Sequence, residues 1–150
     1  MALDDMATRI TPLNRELETQ VLQLKIDESQ IRYHPSISSS IELSRQYDEA
    51  QSMAVIFDEE VCGFAMFGID FETGKWKVFR LLIDKSFQGK GIGKRAMSQI
   101  LAFLQIQKGA DEVLLVVNSE NHVAIHIYRT LGFVQYGSRD DKLLMKVSLR

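Results

Sequence analysis

Residues 88–95 read Gln-Gly-Lys-Gly-Ile-Gly-Lys-Arg, with Gly89, Gly91 and Gly93 alternating among Lys90, Ile92, Lys94 and Arg95. The apolar run Leu81-Leu82-Ile83 comes before them and a helical apolar repeat comes directly after, so strand, turn and helix N-terminus follow in immediate succession. The chemistry available to such a turn is anion binding. Helix N-termini present unpaired N–H groups and a partial positive charge. Glycines let the backbone approach a large anion such as a pyrophosphate without intervening Cβ atoms, and the lysines and arginine add charge beside it. Two phosphate motifs fail on spacing. The G-x-x-x-x-G-K-[ST] loop lacks its first glycine and has Arg95 after Lys94, and the dinucleotide fingerprint needs G-x-G-x-x-G where this turn has G-x-G-x-G. A turn that merely starts a helix would not justify three helix-weakening glycines.

A second group lies in Asn118-Ser119-Glu120-Asn121 and the helical pattern that follows. Asn121 and Tyr128 are seven residues apart and share a helix face, with the small Ala124 between them. Asn121 either caps that helix alone or caps it and also meets a ligand. Tyr128 is either a core aromatic whose hydroxyl is tied to backbone or a proton donor facing a site. Cys62 sits in an apolar run, which suits a buried structural thiol. His34, His122 and His126 form no metal-ligand set: the last two are i, i+4, but no third ligand is nearby, so no metal is expected.

The elements that must position these residues follow from hydrophobic period. A short strand over 7–13 ends at Pro12, and a helix follows on Leu17, Val21 and Leu24, with Leu22 widening its stripe. The serines of 36–40 are expected to cap a helix from 41 to about 51. Apolar strands at 53–57, 61–69 and 76–84 read as an antiparallel meander. A helix from Ile92 stops at Gly109. The strand 112–117 is apolar throughout, as when both faces are covered. Val123, Ile127 and Leu131 are expected on one side of the last helix, which stops at Gly132, and a hairpin turning at residues 139–141 closes the chain. The order β-α-α-β-β-β-α-β-α-β-β predicts a mixed α/β sheet with helices on its faces.

At 150 residues the chain is expected to be one domain, with residues 1–6 a loose tail. Charged residues make up 25% and the net charge is −2, so composition gives no case for a nucleic-acid partner. No apolar run approaches the roughly 20 residues of a membrane span, and the acidic start has no leader-like core. A cytoplasmic protein without membrane partners is expected.

The turn matches the Q/R-x-x-G-x-G/A signature, and the chain resembles the GNAT superfamily of N-acetyltransferases in this and in a second block, a strand, an asparagine loop and a helix ending Y-x-x-L-G-F. In detail, residues 61–136 are similar to bacterial spermine/spermidine N-acetyltransferases. The resemblance implies a mostly antiparallel sheet of about seven strands, split by a V-shaped gap and flanked by about four helices. It implies acetyl-CoA as co-substrate, with its pyrophosphate on the backbone of 88–94 and its 3′-phosphate near Lys90, Lys94 and Arg95. The pantetheine arm would lie in the gap, against Leu81, Leu82 and Ile83 on one side and Asn118, Asn121 and Ala124 on the other. Tyr128 would protonate the departing thiolate in a direct attack within a ternary complex, so Cys62 is not needed as an acyl carrier.

One expected feature is missing. Relatives that acetylate polyamines carry an acid two or three residues before the position of Leu82, where this chain has Phe79 and Arg80. Proton removal would pass instead through water to Asp70, Glu72 or a backbone carbonyl. Asp27 and Glu28 follow the first helix, in the segment that borders the acceptor cleft in this fold, and are the other acids placed to receive an amine. The expected partner is a small-molecule amine, a polyamine among them, with a homodimer left open. A protein N-terminal or lysine amine is the alternative acceptor, and a non-catalytic acyl-CoA sensor is the alternative of another class.

Overall fold

The computed structural model describes residues 7–28, 35–47 and 49–150. The tail expected at 1–6 and His34 lie outside them. Among the described residues seven strands run in chain order: β1 Thr8–Pro12, β2 Gln51–Phe57, β3 Glu60–Ile69, β4 Trp76–Ile83, β5 Glu112–Asn118, β6 Val134–Arg139 and β7 Lys142–Ser148. Four helices are present among the described residues: α1 Arg15–Val21, α2 Ile37–Ser44, α3 Ile92–Lys108 and α4 His122–Thr130. The strands form one sheet in the order β1-β2-β3-β4-β5-β7-β6. Every neighbouring pair is antiparallel except β4 with β5.

Strand alternation explains why β3 is apolar from Val61 onward. Successive side chains point to opposite faces. Phe64 and Met66 join Val21 and Ile41 beneath α1 and α2. Ala65 and Phe67 join Ile92, Ala96, Met97 and Ile100 beneath α3. With a helical layer on each face, neither set can be polar.

Three expectations about the elements need correction. The second helix starts and ends earlier than 41 to 51, because Ser36 rather than a later serine caps it, accepting from the Ser39 N–H. Its serines fit because the Ser40 and Ser44 hydroxyls donate back to the Ser36 and Ile41 carbonyls, which frees Gln51 to open β2. Leu22 lies just past the end of α1 and is 47% exposed, so it does not widen the stripe. On α4 the buried residue is Ile125, and Val123 is 75% exposed. The packed face is the one carrying Asn121 and Tyr128, and a residue two positions after Asn121 points about 200° away from it.

Candidate active site

β4 and β5 are parallel neighbours for three rungs only: Trp76 with Val113, Lys77 with Leu114 and Val78 with Leu115. On its other edge β4 stays paired with β3 to Ile83, but with a bulge. Met66 opposes Arg80 and Phe67 opposes Val78, so Phe79 is the extra residue. A bulge bends a strand and sharpens its twist, and here it sits where β4 leaves β5. The sheet opens at that point into a gap with two mouths, both bordered by Val78, Phe79, Arg80 and Val116.

The inner mouth is a narrow slot of about 40 Å³ between Leu81 and Leu82 on β4 and Val117 on β5, closed by Asn121, Ala124 and Tyr128 of α4. The face shared by those three α4 residues is thus turned into the gap. Asn121 also caps α4, accepting from the Ala124 N–H at 3.2 Å. Ile83 is buried in the core beside the slot and does not line it.

Tyr128 packs its ring on Phe133 at 5.8 Å, and burial pushes its phenol up to about 12. The hydroxyl therefore stays protonated at any ordinary pH. The Cys62 thiol is pushed up to about 11, first by burial and then by the charge of Asp84. It is fully buried, as expected of a structural cysteine.

The glycine turn adjoins the slot. Gly89 and Gly91 both have positive φ, 81° and 77°, and Gly91 starts α3 with no side chain capping it. Gln88 ties the turn to the end of β4 by donating to the Ile83 carbonyl at 3.2 Å. Arg95 donates to the Lys90 carbonyl at 2.9 Å and so folds back over the turn, while Lys90 lies over the Phe87 ring. Gly91, Lys94 and Arg95 face a surface hollow of about 530 Å³. Lys94 is exposed, and Gly93 is half-buried behind it. Asp84 braces the approach, accepting from Ser86 and, across the chain, from the Lys25 N–H at 2.8 Å.

The outer mouth is a chamber of about 460 Å³ between β4 and the β6–β7 turn, faced by Lys77, Arg80, Arg139, Asp140, Asp141 and Lys142. Asn118 lines it too and holds the turn in place, accepting from the Glu120 N–H and donating to the Asp141 carboxylate at 3.3 Å. The acids anticipated from the sequence are not brought together here. Asp70 lines a separate apolar hollow with Tyr47, Phe71 and Phe79, and is engaged by Thr73 and, at 3.7 Å, by Lys77. Glu72 is exposed and pairs with Arg139 at 3.5 Å. Asp27 and Glu28 are exposed and border none of these hollows. Asp140 and Asp141 were legible only as a hairpin turn, and the charge cluster of residues 139–142 was the signal that they could do more. Among the described residues no group of three or more potential metal ligands occurs, and no helix is long and apolar enough to cross a membrane.

Comparison with known proteins fits this geometry. Residues 19–133 match the model of the acetyltransferase (GNAT) family. A probable spermine N(1)-acetyltransferase of Bacillus subtilis subsp. natto is 25% identical over 150 residues, covering 94% of this chain and 99% of that protein. The spermidine N(1)-acetyltransferase of Escherichia coli K12 is 30% identical over 135 residues, covering 85% of this chain and 73% of that one. Among solved structures, spermidine N-acetyltransferase from Vibrio cholerae in complex with CoA and spermine superposes with a TM-score of 0.77 at 18% identity. That match covers 95% of this chain and 96% of the other.

Proposed function

Because the chain belongs to the acetyltransferase (GNAT) family, with acetyl-CoA as its co-substrate, we propose that it acetylates the primary amine of a small molecule across the gap between β4 and β5. The observation that carries this reading is the shared border of the two mouths at Val78, Phe79, Arg80 and Val116. A ligand entering from the glycine turn and one entering from the β6–β7 turn would meet there. The residues suit acetyl-CoA: an open-backbone helix start with positive φ for the pyrophosphate, Lys94 and Arg95 for the 3′-phosphate, and a narrow slot for the pantetheine arm.

Acetyl-CoA supplies the acetyl thioester. A primary ammonium has a pKa near about 10.4, so the acceptor must first lose a proton. Of the two carboxylates in the outer chamber, Asp140 and Asp141, the one oriented by Asn118, Asp141, would take it, directly or through water. Asp70 and Glu72 are engaged with Thr73, Lys77 and Arg139. The amine nitrogen then bonds to the acetyl carbon as the carbon–sulfur bond breaks, and the proton the nitrogen sheds on becoming an amide balances the one the departing sulfur takes up, directly or through water.

Tyr128 acts at the sulfur. A thiol's pKa near about 8.5 lies well below that of the buried phenol, so complete transfer from Tyr128 is uphill. Its contribution is a hydrogen bond that strengthens as charge develops on sulfur. Spermine and spermidine, the substrates named for the relatives, enter the acceptor panel on that ground. The test is thiol release from acetyl-CoA with purified protein and a panel of primary amines, with the acetylated product identified by mass. Acetyl-CoA binding without turnover on any amine would leave only the binding half of the reading.

A further inference from the structure

Resting on the acetyl-transfer reading above, we infer that the acceptor amine carries a carboxylate and that Arg80 is the residue that holds it. Arg80 stands on the bulged stretch of β4 and borders both mouths of the gap. Its Nη1 donates to the Phe79 carbonyl at 2.6 Å. Its Nε is buried with no hydrogen-bond partner, and no carboxylate among the described residues lies within ion-pair distance of it.

The neighbouring charges do not supply one. On its own strand, Lys77 is paired with Asp70 at 3.7 Å. Across the chamber, Arg139 is paired with Glu72 at 3.5 Å and Asp141 accepts from Asn118. Asp140 and Lys142 complete that wall. Arg80 is half-buried, and the part of a guanidinium withdrawn from water costs free energy unless an anion compensates it; that burial already depresses its pKa. The edge left over, Nε with Nη2, presents two parallel N–H donors, the geometry that matches a carboxylate bidentately. Nε is shut off from water, so it becomes satisfied only when Arg80 shifts onto a partner entering the chamber.

The opposite wall selects among anions. Asp140 and Asp141 would repel a phosphate dianion and attract an ammonium. A chamber with an uncompensated guanidinium on one side and two carboxylates on the other fits a small zwitterionic aminocarboxylate. A polyamine would bring only positive charge to Arg80.

The experiment uses the full chain, acetyl-CoA and thiol release, with matched acceptors: amino acids and their carboxamides, alongside spermidine and spermine. At neutral pH the carboxamide's less basic amine has the larger free-base fraction, which outweighs its weaker nucleophilicity, so a large preference for the carboxylate cannot come from amine reactivity. The expected kcat/KM favours the carboxylate member at least tenfold, mainly through KM. Arg80→Gln should bring the pair within about threefold, and Arg80→Lys, which keeps charge without the fork, should retain part of the preference.

Spermidine or spermine outperforming every carboxylated amine would overturn the inference. So would an equal loss on both members of the pair in Arg80→Gln, which would make Arg80 an oxyanion donor or a structural residue. Should that variant fail to fold, the wild-type ratio decides alone. Transfer to amines without carboxylate preference defeats only this inference, whereas no transfer to any amine defeats the acetyl-transfer reading beneath it.

Discussion

Val78 and Leu115 form the last rung between β4 and β5, and the residues assigned here to acetyl transfer lie just beyond it. The parallel pair stops because β4 bulges at Phe79 while still held to β3 by Arg80 opposite Met66. The backbone edge that β5 would have covered is left for a ligand.

The turn is the first place to test this. Gly91 starts α3 at φ 77°, a conformation that costs an ordinary L-residue about 1–2 kcal/mol. Gly91→Ala should turn the local N–H groups off their target and weaken acetyl-CoA tenfold or more, about 1.4 kcal/mol. Calorimetric titration of the folded variant measures this. Unchanged affinity would take the pyrophosphate away from this turn.

Lys94 and Arg95 border the hollow beside Gly91. Replacing both by Ala should weaken CoA more than dephospho-CoA if they meet the 3′-phosphate. Because Arg95 also holds the Lys90 carbonyl, some loss on both ligands is expected, and the difference between the two is the readout. Equal losses would move the 3′-phosphate elsewhere.

Gly63 tests how tightly the strands of the site are built. A Cβ there would stand 2.7 Å from the Leu82 carbonyl oxygen and 2.8 Å from Ile83 Cδ1. The nearer neighbour is backbone and cannot swing away, so Gly63→Ala should destabilise the protein by about 1–3 kcal/mol. Denaturant unfolding checks the magnitude, and a midpoint equal to wild type would show that β3 and β4 separate more easily than this packing implies.

Tyr128→Phe keeps the ring against Phe133 and removes only the hydroxyl. Folding and acetyl-CoA affinity should change little, while kcat falls by roughly 10²- to 10³-fold, the loss expected when one hydrogen bond to developing charge is removed, and toward the lower end because a thiolate is a tolerable leaving group. The phenol's pKa is raised to about 12, so the protonated form persists to that pH. Tyr128 should therefore contribute no alkaline limb to the wild-type rate profile below pH 10. A limb near pH 9 that disappears in Tyr128→Phe, or a collapse of acetyl-CoA affinity with single-turnover rates preserved, would remove the role assigned here.

Much of this protein was legible in its sequence because its signals are local. Helix periodicity, apolar runs and the glycine turn depend on neighbours within a few positions, and so did the shared face of Asn121, Ala124 and Tyr128. The misread boundaries, Leu22, Val123 and the span of α2, were places where more than one local pattern fitted. The capping bonds of Ser36 and Asn121 decided the phase of α2 and α4, and α1 ends at Val21, one residue short of Leu22. The absence of an acid at Phe79 and Arg80 was equally plain, since residue identity needs no fold.

The acceptor side was beyond such reading. Its chamber joins residues 77–80 to residues 139–142, some sixty positions apart, and only the strand order β4-β5-β7-β6 brings them face to face. Whether Arg80 points into solvent or into that chamber depends on a one-residue bulge, and nothing in its local sequence specifies which residue opposes it. Chain-local physics determined the elements and the cofactor turn. Long-range register alone decided which charges share a cavity, because the strand pairings that create it join segments far apart in the chain.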